Sequence, residues 1–167
     1  KGGGAEKVAL NLALKFLEWD LKVMFIVFDK STDYPDLVVA HLDVREMRAK
    51  RVLYALPELI IHLRRLKPKF IVSFLTSMNI LLSIASVFKR RETRIVISER
   101  SLFSRKEKFT GIFVRRGIRF LYKRVDGIIA ISSGVKQDLL NCLSIGSDSV
   151  HVINNPLLQS AVRGKDI

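Results

Sequence analysis

The chain has 167 residues, 49% hydrophobic and 27% charged, which suits one hydrophobic core and excludes the make-up of a disordered chain. A single cysteine, Cys142, excludes an intramolecular disulfide framework and fits a reducing compartment. The net charge of +13 is concentrated: residues 45–124 hold 21 Lys+Arg against 5 Asp+Glu, or +16, and the rest carry −3, so anionic lipid headgroups, nucleic acid and phosphorylated substrates are the partners to weigh.

In chain order, Ala5 to Trp19 reads as a helix with Val8, Leu12, Phe16 and Trp19 on one stripe. Leu21 to Phe28 is a near-continuous apolar run, the pattern of a strand buried on both faces. Leu37 to Leu42 is a shorter strand. Arg45 to Leu66 reads as a long helix that Pro57 kinks or splits. Lys69 to Leu75 is a strand, Ser77 to Phe88 a helix and Arg94 to Ser98 a strand. Glu107 to Arg124 is a basic helix, Gly127 to Ser132 a strand and Ser133 to Leu143 a helix. Val150 to Ile153 is the last strand. Strands separated by helices predict a parallel sheet with helices on both faces, including the strands at 21–28, 69–75, 94–98 and 127–132.

Phe70 to Phe88 carries no charge for 19 residues, long enough to weigh a membrane span. Ser73, Thr76, Ser77, Asn79, Ser83 and Ser86 interrupt it, and its first part is β-branched. Strand, polar turn and helix is therefore the predicted reading.

Four segments carry chemistry. Gly2, Gly3 and Gly4 precede a helix, where backbone N–H groups can approach an anion. The run matches neither G-x-G-x-x-G nor a P-loop, and the alternative reading is a plain flexible terminus. Ser98-Glu99-Arg100 places polar residues where a buried strand ends, read either as a solvated strand end or as the rim of a cleft. In Asp126-Gly127-Ile128-Ile129-Ala130-Ile131-Ser132-Ser133-Gly134-Val135-Lys136 a strand ends in serine and a helix begins. Ser132 or Ser133 there serves as an N-cap, with Ser132 and Gly134 also available to a cleft. Val150-His151-Val152-Ile153-Asn154-Asn155-Pro156 ends the last strand in a polar turn stiffened by proline. His41, His62 and His151 have no metal-ligand spacing, and neither H-E-x-x-H nor a cysteine pair is present.

The basic segment from Arg105 to Arg124 mixes Phe109, Phe113, Phe120 and Leu121 with its positive charges. One reading is a helix packed on the sheet with a solvated basic face. The other is the same helix with its apolar side inward and its basic rim on an anionic bilayer. In the second reading Arg105, Lys106, Lys108, Arg115, Arg116 and Arg119 make the contact. Attraction is then electrostatic rather than by deep insertion, and neutral vesicles bind weakly.

Gly-Gly-Ala-Glu followed by an amphipathic helix, the Ser-Glu-Arg strand end, the segment 126–136 and the Ile-Asn-Asn-Pro turn together resemble the N-terminal half of a family-4 glycosyltransferase. The resemblance spans Gly2 to Leu157. It implies a Rossmann-like α/β domain over residues 1–157, one half of a GT-B fold lacking its first strand, and the start of an interdomain linker over 158–167. The chain is then truncated at both ends and inactive alone. For the whole enzyme the resemblance implies transfer of a sugar from a nucleotide-sugar donor to a hydroxyl acceptor, with retained configuration. It further implies no metal or cofactor, a donor held mainly by a second domain, and an acceptor of the lipid-linked kind met in polysaccharide or glycolipid biosynthesis. The protein is expected in the cytoplasm, peripheral on the cytoplasmic face of the membrane. Gly2, Gly3, Gly4, Thr76, Asn79, Glu99, Arg100 and Ser132 are expected to bind substrate and to converge at the C-terminal strand ends. Some branches of the family carry a histidine near the Ser-Glu-Arg segment; this chain does not, so no histidine role carries over. The alternative from a different class is a non-enzymatic basic α/β module on nucleic acid, although no RNA-recognition signature or aromatic platform is present.

Overall fold

The computed structural model describes residues 4–27, 42–47, 49, 52–106 and 111–155. Its elements alternate as predicted. Helix α1 spans Gly4–Glu18 and is followed by strands β1, Met24–Val27, and β2, Asp43–Glu46. After a 3-10 turn at Val52–Ala55 come α2, Leu56–Leu66, β3, Phe70–Ser73, and α3, Thr76–Ala85. Then follow β4, Arg94–Glu99, α4, Ile112–Tyr122, β5, Gly127–Ala130, α5, Ser133–Leu143, and β6, Val150–Val152.

Every described strand pairing is parallel. The strands form two sheets, β1-β2 and β3-β4-β5-β6 in that order. Among the described residues, the run at 24–27 thus pairs with 43–46 and with none of the other predicted strands. An apolar run predicts a strand, but its partner is set by long-range register, which periodicity does not contain. In the larger sheet Glu99 is level with Ala130 and Ala130 with Val152, so β4, β5 and β6 end on one rung. Both pleat faces of β4 are covered: Ile95, Ile97 and Glu99 are buried on one face and Ser98 on the other. The main core adds Leu59 and Leu63 of α2, Leu81, Leu82 and Ala85 of α3, Ile118 and Tyr122 of α4, and Val135, Leu139 and Leu143 of α5.

Local chemistry explains most element ends. Glu6 and Lys15 sit in the first and last turns of α1, where their charges complement the helix dipole. Pro57 lies in the first turn of α2, where its missing N–H leaves no hydrogen bond unmade. It therefore starts that α-helix, and the expected division falls beside it, where the 3-10 turn at Val52–Ala55 gives way to the α-helix at Leu56. Lys67 closes the helix in the left-handed region at φ 48°, and Pro68 follows. The expected helix at 45–66 is further corrected at its start, because Arg45 and Glu46 belong to β2. Their side chains give no apolar alternation, so only pairing with β1 reveals the strand. Of the strand expected at 37–42, only Leu42 is described; it is buried and immediately precedes β2.

The stripe on α1 is also displaced. Ala9 and Ala13 are its buried residues, and Ala13 packs with Leu10, Leu17, Val23, Phe25, Val27 and Leu42, while Trp19 is 66% exposed. Small side chains carry that contact, which a search for large apolar residues overlooks. The uncharged run 70–88 is strand, turn and helix, and among the described residues no helix is long and apolar enough to cross a membrane.

Candidate functional site at the C-terminal edge of the sheet

The buried carboxylate of Glu99, the last residue of β4, organises this edge. Glu99 is 0% exposed and accepts four hydrogen bonds. Thr76 Oγ1 donates at 2.7 Å and Lys106 Nζ at 2.9 Å to Oε2. Asn79 Nδ2 donates at 2.9 Å and the Tyr122 hydroxyl at 2.5 Å to Oε1. These donors come from the first turn of α3, the loop after β4 and the end of α4, so one carboxylate ties three segments to the sheet. Burial, then the negative charge of Glu99, raises the Tyr122 pKa well above its ordinary value, so Tyr122 stays a donor.

The network continues inward. Asn79, also fully buried, donates to the Ser98 carbonyl at 3.0 Å and accepts from Ser73 Oγ at 2.5 Å. Ser83 Oγ donates to the Asn79 carbonyl at 2.7 Å. Lys106 also donates to Thr76 Oγ1. Among the described residues no buried side-chain polar atom lacks a partner, as a network at low dielectric requires.

The loop after β4 is strapped down at three points. Asp138 of α5 accepts from the backbone N–H of Phe103 at 2.5 Å and of Ser104 at 3.0 Å. Burial pushes the Asp138 pKa up, but the hydrogen bonds from Ser104 and Phe103 outweigh it and the net shift is downward. Phe103 is buried beneath the loop, and Lys106 lies over its ring, 5.4 Å from the centroid. Arg100 Nη2 donates to Asn155 Oδ1 at 2.7 Å, which links the loop to the segment after β6.

Arg100, Ser132 and Asn155 all lie just past the rung on which β4, β5 and β6 end. The Ile131 N–H donates to the Glu99 carbonyl at 3.3 Å and the Ile153 N–H to the Ala130 carbonyl at 3.0 Å. Ser132 caps α5, its Oγ accepting from the Val135 N–H at 3.2 Å. Arg100 is half-buried, and burial lowers its pKa. Its partner Asn155 is neutral, and among the described residues no carboxylate forms an ion pair with it. At the rim, Arg100 is therefore a positive charge without a carboxylate partner above a neutralised Lys106–Glu99 pair, an arrangement that attracts an anion.

The structure thus gathers Thr76, Asn79, Glu99, Arg100 and Ser132 at one edge but at two depths. Thr76, Asn79 and Glu99 are engaged with one another beneath the surface; Arg100 and Ser132 stand at the rim. Gly4 begins α1, while Gly2 and Gly3 lie outside the described residues. Of the residues expected to meet a membrane, Lys106 is corrected: its side chain is 18% exposed and turned inward to Glu99, because a buried carboxylate needs a cation more than the surface does. Arg115 is half-buried, near enough to Cys142 to influence its thiol. Arg105, Arg116 and Arg119 are exposed, and Lys108 lies outside the described residues. Sequence reasoning missed Tyr122 and Asp138 as members of this edge. Asp138 had one usable signal, as the only acidic residue in a helix that begins at the strand ends. Among the described residues no three His, Cys, Asp or Glu side chains stand together as metal ligands.

Residues 2–157 match the family described as Glycosyltransferase Family 4. Among solved structures, the chain is similar to Anabaena Alr3699/HepE, determined in complex with UDP and glucose. The TM-score is 0.73 and the sequence identity 15%, over 93% of this chain. The chain spans 41% of the length of that structure's chain. No curated protein matches it.

Proposed function

The chain belongs to glycosyltransferase family 4, and on that footing we propose that it forms the acceptor-side half of an enzyme that moves a sugar from a nucleotide-sugar donor to a hydroxyl acceptor. The family match over residues 2–157 carries this reading. The geometry supports it through the C-terminal strand edge, where an open α/β sheet places its ligands and where Arg100 offers a charge for a phosphate or an acceptor hydroxyl. That the Anabaena structure holds UDP and glucose agrees with a nucleotide-sugar donor. In this reading a second domain grips the donor and the anomeric configuration is retained. The acceptor is lipid-linked and is met at a membrane surface by a peripheral, cytoplasmic enzyme.

Glu99 takes a positioning part. Its buried ion pair with Lys106 and its bonds to Thr76, Asn79 and Tyr122 hold the loop that carries Arg100. The test is an assay of nucleoside diphosphate release from a panel of nucleotide sugars with a lipid extract as acceptor. It is run on residues 1–167 and on the same chain extended by the reading frame that follows codon 167. Release by the extended chain alone is expected, with the product anomer matching the donor by NMR. Absence of release with every donor overturns the proposal.

A further inference from the structure

The outward face of α4 carries two exposed aromatic side chains set among cations. Ile118 and Tyr122 point into the core. Advancing about 100° per residue, the opposite side is centred on Phe113 and Phe120, which are 81% and 60% exposed. They stand two turns apart, about 10 Å along the axis. Exposed Arg116, Arg119 and Lys123 flank them on one side, and Arg124 flanks them on the other, its guanidinium over the Phe120 ring at 5.0 Å. Gly117 lies between the two rings and presents no side chain. Ile112, 61% exposed, extends the apolar surface at the N-terminal end. The helix contains no Asp or Glu.

The sequence pattern suggests apolar residues inward and a basic rim outward. The structure reverses half of that, since the core takes Ile118 and Tyr122 and leaves both phenylalanines facing water. Exposed apolar surface bounded by cations fits an interface with an acyl layer below and phosphates alongside.

We infer that α4 is a membrane-insertion helix, lying in the plane of an anionic bilayer with Phe113 and Phe120 below the headgroups and Arg116, Arg119 and Lys123 on lipid phosphates. This deepens the membrane-surface part of the proposed function, but its test has no enzymatic readout, so either can fail without the other. Charge complementarity selects the occupant: a helix with four flanking cations and no Asp or Glu of its own meets an anionic surface at each edge. Binding then has two components. The cationic one falls with salt, and the aromatic one persists.

The chain of residues 1–167 is mixed with vesicles of phosphatidylcholine containing phosphatidylglycerol and sedimented across a salt series. The parent should bind, and should retain part of its binding at high salt. F113S/F120S should lower partitioning by about tenfold or more, since each ring leaves a large apolar area in water. R116Q/R119Q/K123Q should lower it at low salt and leave the salt-resistant part. All five side chains are exposed, and circular dichroism confirms that each variant folds. In a Trp19→Phe background, Phe113→Trp should shift its emission to the blue on vesicle addition and be quenched by brominated acyl chains. Binding with no shift and no quenching overturns insertion. Equal binding by parent and F113S/F120S does the same. Salt-sensitive binding to single-stranded RNA without lipid binding assigns the face to nucleic acid. Dimerisation in solution that F113S abolishes, without lipid binding, assigns it to a second copy. Either outcome overturns the proposal.

Discussion

Replacing Glu99 by alanine removes the acceptor on which four donors converge. Thr76 keeps its contact with Lys106, and Asn79 keeps the Ser98 carbonyl at 3.0 Å. Tyr122 and Lys106 lose the most, because the buried hydroxyl loses the carboxylate it donates to and the ammonium, 18% exposed, is left without its counter-charge. Breaking a buried ion pair by removing one partner costs about 3–5 kcal/mol, and partial exposure of Lys106 places this site near about 3. For a domain of this size that lowers Tm by roughly 6–12 °C. Urea unfolding of residues 1–167 followed by circular dichroism measures it, with the midpoint moving and the slope unchanged. If the stranded ammonium is the main cost, Glu99→Ala/Lys106→Met should recover at least about 1 kcal/mol of the loss. A Glu99→Ala variant within about 0.5 kcal/mol of the parent would refute the reasoning, as would a double variant no more stable than the single.

Ser132→Ala removes the N-cap of α5 and should cost about 1 kcal/mol by the same unfolding assay, with Ser132→Asn close to the parent. At the opposite edge of the sheet Asp126 accepts from the Ile95 N–H at 2.8 Å, from Arg94 at 3.0 Å and from Lys89. Burial pushes its pKa up, but these hydrogen bonds outweigh it and the net shift is downward. Its contribution to stability is therefore full above the unfolded carboxylate pKa of about 4 and is lost as pH falls through the lower folded value. Asp126→Asn should accordingly be less stable than the parent at pH 7, with the gap narrowing on acidification below about pH 4; a gap constant with pH would show that the charge is immaterial. In an active enzyme containing this chain, Arg100→Ala should lower turnover more than it lowers Tm, and an unchanged rate would remove Arg100 from the site.

The alternation of strands and helices was legible in the sequence because it depends on local periodicity. Helix α5 could be read to the residue, since Ser132 caps it three residues before the N–H it accepts from, and the polar turn inside the uncharged run 70–88 was equally local. The family resemblance was legible too, because its motifs are contiguous and sit at strand ends. Tertiary structure decided the rest. Strand β2 exists because Asp43 to Glu46 pair with Met24 to Val27, a relation that no apolar alternation within Asp43 to Glu46 announces. Glu99 draws Thr76 and Tyr122 from 23 residues away and Asn79 from 20, so nothing in its own neighbourhood marks it as buried. Lys106 reads as one more cation in a basic stretch until that carboxylate claims it. On α4 the sequence shows that the helix is amphipathic. Only packing against α3 and α5, with Tyr122 bonded to Glu99, decides that Ile118 and Tyr122 turn inward, and so leaves Phe113 and Phe120 among the arginines outside. Periodicity records which residues share a face, while the direction of that face follows from long-range contacts that no short window of sequence contains.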